Sequence, residues 1–104
     1  MDLTHELRNF LDEDGRLKAY PAKRRMKLLA LFYLASKFEP GRRYSEKQVN
    51  ALLEGWHAFS DWVMLRRDLV DHGFLGREQD GSVYWMKETQ PTPEDFGTAP
   101  RGPL

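Results

Sequence analysis

Apolar residues along this chain recur first at helical spacing and then, near its end, in alternation, and that change of period lays out its elements. Leu3, Leu7, Phe10 and Leu11 fall on one helical face with Thr4 placed as a cap, which predicts a short first helix ending near Leu11. Asp12, Glu13, Asp14 and Gly15 read as a turn. Residues 17–20 read as a short extended piece, because Tyr20 precedes Pro21 and is biased away from helix. Pro21 suits the first turn of the next helix, where its missing donor is unused. That helix is expected over 22–38, with Leu28, Leu31, Phe32, Ala35 and Phe38 as one apolar stripe and Pro40-Gly41 as its stop.

Residues 42–44 read as a brief strand. Ser45 is then a natural N-cap, and Gln48 three residues on completes a capping-box pattern. Val49, Leu52, Leu53 and Trp56 form the buried face of this helix, which Gly55 loosens near its end. Residues 57–60 make a turn, and Ser60 or Asp61 caps a further helix that runs to His72 and stops at Gly73. Trp62, Leu65 and Leu69 share its inner face, with Val70 alongside. Residues 74–78 and 82–86 flank Gln79-Asp80-Gly81, and Asp-Gly is a strong hairpin signal.

From Tyr44 to Trp85 the order is therefore helix, turn, helix, hairpin, that of a winged helix-turn-helix module. The expected fold is α+β, with three main helices, an extra N-terminal helix and a C-terminal β-hairpin wing. One domain is expected over 1–86, followed by a flexible tail over 87–104 that carries Pro91, Pro93, Pro100 and Pro103 without periodicity.

Composition narrows the chemistry. The 104 residues suffice for one modest core, and 40% apolar with 31% charged residues describes a globular chain. Without cysteine there is no disulfide, thiolate metal site or thiol nucleophile. No apolar run is long enough to span a bilayer, and Asp2 and Glu6 stand where a basic, apolar export leader would be, so a cytoplasmic location and no membrane partner are expected. The net charge is zero, but residues 16–47 hold ten basic and two acidic side chains. Patches rather than totals steer polyanions.

Three strings stand out: residues 10–17 with Phe10 and Leu17 at their ends, 20–24 from Tyr20 to Arg24, and 44–50 from Tyr44 to Asn50. His57, Asp61, the Leu65-Arg66-Arg67-Asp68-Leu69 run, Gly73 and residues 81–85 continue the pattern. Together they resemble a bacterial family known only as domain of unknown function 2087, over roughly residues 8–86. Members of that family often follow the helix-turn-helix domain of a transcriptional regulator, so the resemblance implies a part in gene regulation. It implies no particular activity, and here only a short helix is expected ahead of the domain.

Four groups are candidate sites. Lys23, Arg24, Arg25 and Lys27 crowd the start of the long helix, where the helix dipole disfavours cations and a bound phosphate would satisfy both charges and free amides. Alternatively, Asp12, Glu13 and Asp14 fold back and neutralise them. Arg66 and Arg67 lie on the second helix of the module, yet Asp61, Asp68 and Asp71 make that helix net negative, so a neighbouring carboxylate is expected to hold Arg66. Trp56, Phe59 and Trp62, spaced by three, set the angle between two helices or else form a partner surface, and only one of Tyr84 and Trp85 can join the core. His57 and Asp61 are expected to bond within the turn and cap the helix rather than hold a metal.

Nothing in these patterns calls for a catalytic site or a cofactor. The expectation is a non-enzymatic, transcription-associated domain that contacts DNA through its backbone phosphates. Lys23, Arg24, Arg25, Lys27, Arg42 and Arg43 would neutralise phosphates, with Arg66, Arg67 and Arg77 secondary. The alternative is a protein-interaction or homodimerisation module of the same shape without DNA binding, and a weaker one is a small-molecule sensor.

Overall fold

A computed structural model of the chain describes residues 3–91. Its elements, in order, are α1 (Leu3–Glu6), a 3₁₀ turn (Arg8–Phe10), α2 (Arg24–Ala35), β1 (Arg43–Tyr44), α3 (Glu46–Trp56), α4 (Trp62–Asp71), β2 (Leu75–Arg77) and β3 (Tyr84–Met86). The three strands form one antiparallel sheet in the order β1-β3-β2. Arg43 stands opposite Trp85, and Gly76 opposite the same Trp85 from the other side. The fold is α+β and winged-helix-like: α2, α3 and α4 carry the body, and the β2–β3 hairpin is the wing.

The first helix is shorter than its apolar spacing predicted. It gives way at Leu7 to a 3₁₀ turn, and Thr4 lies inside α1 rather than at its cap. Leu7 and Leu17 are fully buried, and the chain between them doubles back on itself. Lys18 N–H donates to Phe10 C=O and Asp12 N–H to Arg16 C=O, which makes a small hairpin around the expected turn. Asp12 Oδ1 accepts the amides of Asp14 and Arg16, and Gly15 takes the positive φ of 80° that the turn needs. Leu17 then bonds to both sides of the α3–α4 turn, through Trp56 C=O and Ala58 N–H.

Helix α2 is the centre of the molecule. It begins at Arg24, not Ala22, because Pro21 is buried in the extended approach to the helix and Lys23 occupies the N-cap position. It ends at Ala35, five residues before Pro40, in tightened turns closed by Lys37 N–H to Leu34 C=O and Phe38 N–H to Ala35 C=O. The single stripe expected for it is too narrow. Leu29, Ala30, Tyr33 and Leu34 are buried as well, since the N-terminal segment covers one side and α4 packs on another. Tyr33 Oη donates to Gly15 C=O at 2.6 Å, tying that segment to the helix.

The remaining boundaries follow from their caps. Ser45 and Gln48 form the full reciprocal capping box of α3. Asp61, not Ser60, caps α4 by accepting Met64 N–H. At the other end Gly73, with φ of 86°, and Phe74 return hydrogen bonds to Val70 and Leu69, a Schellman closure in which Phe74 and Leu69 are both fully buried. Phe74 is thereby used up in the cap, so β2 starts at Leu75 rather than at residue 74. The chain beyond β3 stays against the body as far as Pro91, with Gln90 Nε2 donating to Phe74 C=O. The rest of the expected tail lies outside the described residues.

Candidate functional site

Two helix faces and the wing hold most of the cations singled out in the sequence. On α4, Leu65 and Leu69 point into the core, so residues 63, 67 and 71 point away from it. Val63 is 49% exposed, an unusual position for an aliphatic side chain in this molecule, and Arg67 and Asp71 beside it are exposed.

One flank of α4 meets the approach to α2. Tyr20 Oη donates to Asp68 Oδ2 at 2.7 Å, its ring stacks on Phe59, and the Lys27 ammonium lies 5.2 Å from the ring centroid. The basic start of α2 is thus fastened beside the Asp68 flank of α4. Burial, then the hydrogen bond and charge of Asp68, raise the Tyr20 hydroxyl far above the ordinary tyrosine range.

The opposite flank faces α3 and the wing across a cleft of about 370 Å³. Arg66, Arg67 and Arg77 line it, together with Glu46, Asp71 and Asp80. Arg66 is only 17% exposed. Its Nη1 donates to Asn50 Oδ1 and stands 3.8 Å from Glu46 Oε2. Glu46 and Asn50 are four residues apart on α3, so one face of that helix positions this guanidinium. Asp80 is exposed at the tip of the wing, and hydrogen bonds from Ser82, with the nearby Arg77 charge, hold its carboxyl below the usual range.

The acid run 12–14 does not cover the basic start of α2. Asp12 is spent on its own turn and on Arg16, and the partner of Arg25 is Glu6, at 3.5 Å. Lys23 and Arg24 are exposed and make no ion pair within the described residues. Arg42 pairs with Glu39 at 3.3 Å and lies over the Tyr44 ring. Arg43 pairs with Glu78 at 3.5 Å and covers Trp85 on the outer face of the sheet, away from α4. The nine candidate cations therefore divide. Lys23, Arg24, Arg25 and Lys27 stand on one side of α4, Arg66, Arg67 and Arg77 around the cleft, and Arg42 and Arg43 at the sheet edge.

The aromatic and histidine groups resolve into structural roles. Trp56 meets Tyr33 edge-on, with Lys37 over both rings, while Phe59 stacks on Tyr20 and packs against His57. Tyr84 is buried and Trp85 is not, as alternation requires. His57 is buried, accepts Asp61 N–H at Nε2 and donates from Nδ1 to Leu53 C=O. Among the described residues no group of three or more acidic or histidine side chains is placed to hold a metal, and no helix is long and apolar enough to cross a membrane.

A bacterial family described as an uncharacterized protein conserved in bacteria (DUF2087) matches residues 16–86. The chain belongs to that family. The matched region runs from the first turn through the wing, so it takes in α2, α3, α4 and the whole sheet. No curated protein and no solved structure matches the chain.

The site residues that local patterns missed are Tyr20, Asp68, Asn50 and Glu46. Each acts through a partner on another element, and such pairings leave no short-range signal. Only the 46/50 spacing, two polar residues on the face of α3 flanking Val49 and Leu53, hinted at a use.

Proposed function

We propose that this domain is a non-enzymatic regulatory module, working in the bacterial cytoplasm, that binds DNA through its phosphate backbone with the outward face of α4. The observation that carries the reading is the Tyr20 bridge. It sets the cations at the start of α2 against one flank of α4, while Arg67 and the wing's Arg77 border the other. A duplex lying along α4 would meet positive charge on both sides. The ion pairs of Arg25, Arg42 and Arg43 are surface pairs with both partners more than a third exposed, a class worth about 0–1 kcal/mol, so phosphate competes with them readily.

Carboxylates interleaved with the arginines on α4 argue against extensive base reading, because Asp71 and the wing's Asp80 would meet base-edge acceptors or phosphates with like charge. Sequence-independent contact fits this face better. Fluorescence anisotropy with a labelled duplex, over a series of salt concentrations, tests the proposal. Engagement of about five phosphates gives a slope of log affinity on log salt near −4.5. No binding at low salt, or binding indifferent to salt, rejects it. The even balance of charge in the cleft favours one other reading, a docking face for a protein partner or a second copy of the chain, for which light scattering is the corresponding measurement.

A further inference from the structure

We infer that the cleft between α4 and the wing is a seat for one phosphate group, in which Arg66 is the pre-set ligand and Asn50 and Glu46 are its positioning residues. The inference deepens the reading above but rests on separate geometry.

An arginine binds an oxyanion best when its planar fork is already oriented, because little freedom is then lost on contact. Arg66 meets that condition. Asn50 and Glu46 both engage the same nitrogen, Nη1, which fixes the guanidinium plane and leaves the Nε–Nη2 edge without a hydrogen bond among the described residues. The group is mostly buried, at 17% exposure, so the charge it offers is poorly screened. Arg67 and Arg77 line the same cleft from α4 and from the wing, and among the described residues neither is matched by a carboxylate within ion-pair distance. Three guanidiniums thus surround a space of about 370 Å³, several times the volume of a phosphate.

Two of the three carboxylates that line the cleft are already engaged. Glu46 faces Arg66, and Asp80 accepts the amide of Ser82. Asp71, one turn beyond Arg67, is the lining carboxylate left with no hydrogen bond or ion pair among the described residues, and it is the group that weakens the seat. Its removal should therefore tighten phosphate binding, a gain that a merely structural role for the cleft does not produce.

The seated phosphate belongs either to a nucleic-acid backbone or to a small phosphate ester, and the test separates the two. The full chain is titrated with sodium phosphate against sodium chloride at matched ionic strength, and with a short duplex, while amide and guanidinium NMR shifts are followed. Phosphate is expected to move the signals of Asn50, Arg66, Arg67 and Gly81, and chloride is not. Asp71→Asn should tighten phosphate binding by about threefold or more, and Arg66→Lys, which keeps the charge but loses the fork, should weaken it by about tenfold. Arg67→Gln with Arg77→Gln, both at exposed positions outside the core, should weaken it in the same direction and guards against Arg66 variants that fail to fold. Shifts that are absent, equal in chloride, or untouched by these changes overturn the inference. Duplex that moves the same signals supports a backbone phosphate. Free phosphate that moves them when duplex does not supports a small phosphate ester and removes the nucleic-acid reading instead. Duplex that shifts only the start of α2 overturns the seat and leaves that reading intact.

Discussion

Tyr20 and Asp68, 48 positions apart, share a hydrogen bond of 2.7 Å that fastens the approach to α2 onto the flank of α4. It joins the two elements whose relative position matters most for an extended binding face. Replacing Tyr20 with Phe keeps the ring on Phe59 but strips Asp68 of its donor. The expected loss of stability is about 1–2 kcal/mol in urea denaturation. Because the folded-state pKa of Tyr20 is raised, its contribution is present in full below the ordinary tyrosine pKa of about 10 and falls away as pH climbs above that value. Tyr33, raised chiefly by burial, adds to the same alkaline decline. The Tyr20→Phe variant should therefore lose stability less steeply above pH ~10 than the parent, without becoming flat. Identical alkaline profiles would sink this account.

Trp85 lies directly on Gly76, its register partner across the wing. A β-carbon at Gly76 would stand only 2.5 Å from the indole, and Arg43 covers the ring from the other side, so Trp85 has little room to swing. Gly76→Ala should destabilise the domain by about 1–3 kcal/mol. The smaller pair Gly76→Ala with Trp85→Val should recover much of that in a thermal melt. If the single alanine is neutral, the indole is not packed as described.

His57 closes the α3–α4 turn by serving both helices, donating from Nδ1 to Leu53 C=O in the last turn of α3 and accepting the amide of Asp61 at Nε2. That arrangement requires the neutral ring with its hydrogen on Nδ1. Removing it in His57→Ala leaves Leu53 C=O and Asp61 N–H without partners, with an expected cost of about 2–4 kcal/mol. Nitrogen-15 spectra of the parent should show the Nδ1-protonated tautomer, and the opposite tautomer would contradict the turn as drawn.

Elements governed by local chemistry were legible in the sequence. The Ser45–Gln48 capping box, the Asp61 cap, Gly73 at the end of α4 and the Asp-Gly hairpin all sit where their spacing put them, because each is satisfied within a few residues. Boundaries shifted where distant residues compete. Pro21 is drawn into the core beside the Tyr20 contact instead of entering α2, and Phe74 completes the α4 cap instead of opening a strand. The site divides along the same line. Its arginines could be named from composition, but Arg66 differs from Arg67 only through Asn50 and Glu46 on another helix. That Arg25 pairs with Glu6 rather than with the acid run 12–14 depends equally on how the N-terminal segment folds back.

The start of α2 offers the cleanest separation of binding from folding. Lys23 and Arg24 are exposed and carry no ion pair among the described residues, so their joint replacement by glutamine should alter stability by less than about 0.5 kcal/mol. If both meet phosphates, the salt slope of duplex binding should fall by about 2, and affinity should drop alike on every sequence. Glu6→Gln supplies the opposite perturbation. It frees Arg25 from its carboxylate partner and should strengthen binding, most of all at low salt, where screening is least. Measured by anisotropy across a salt series, the two variants should move affinity in opposite directions. A slope that stays constant in both would mean that the basic turn faces solvent and not a polyanion, and the outward face of α4 would then need a different partner.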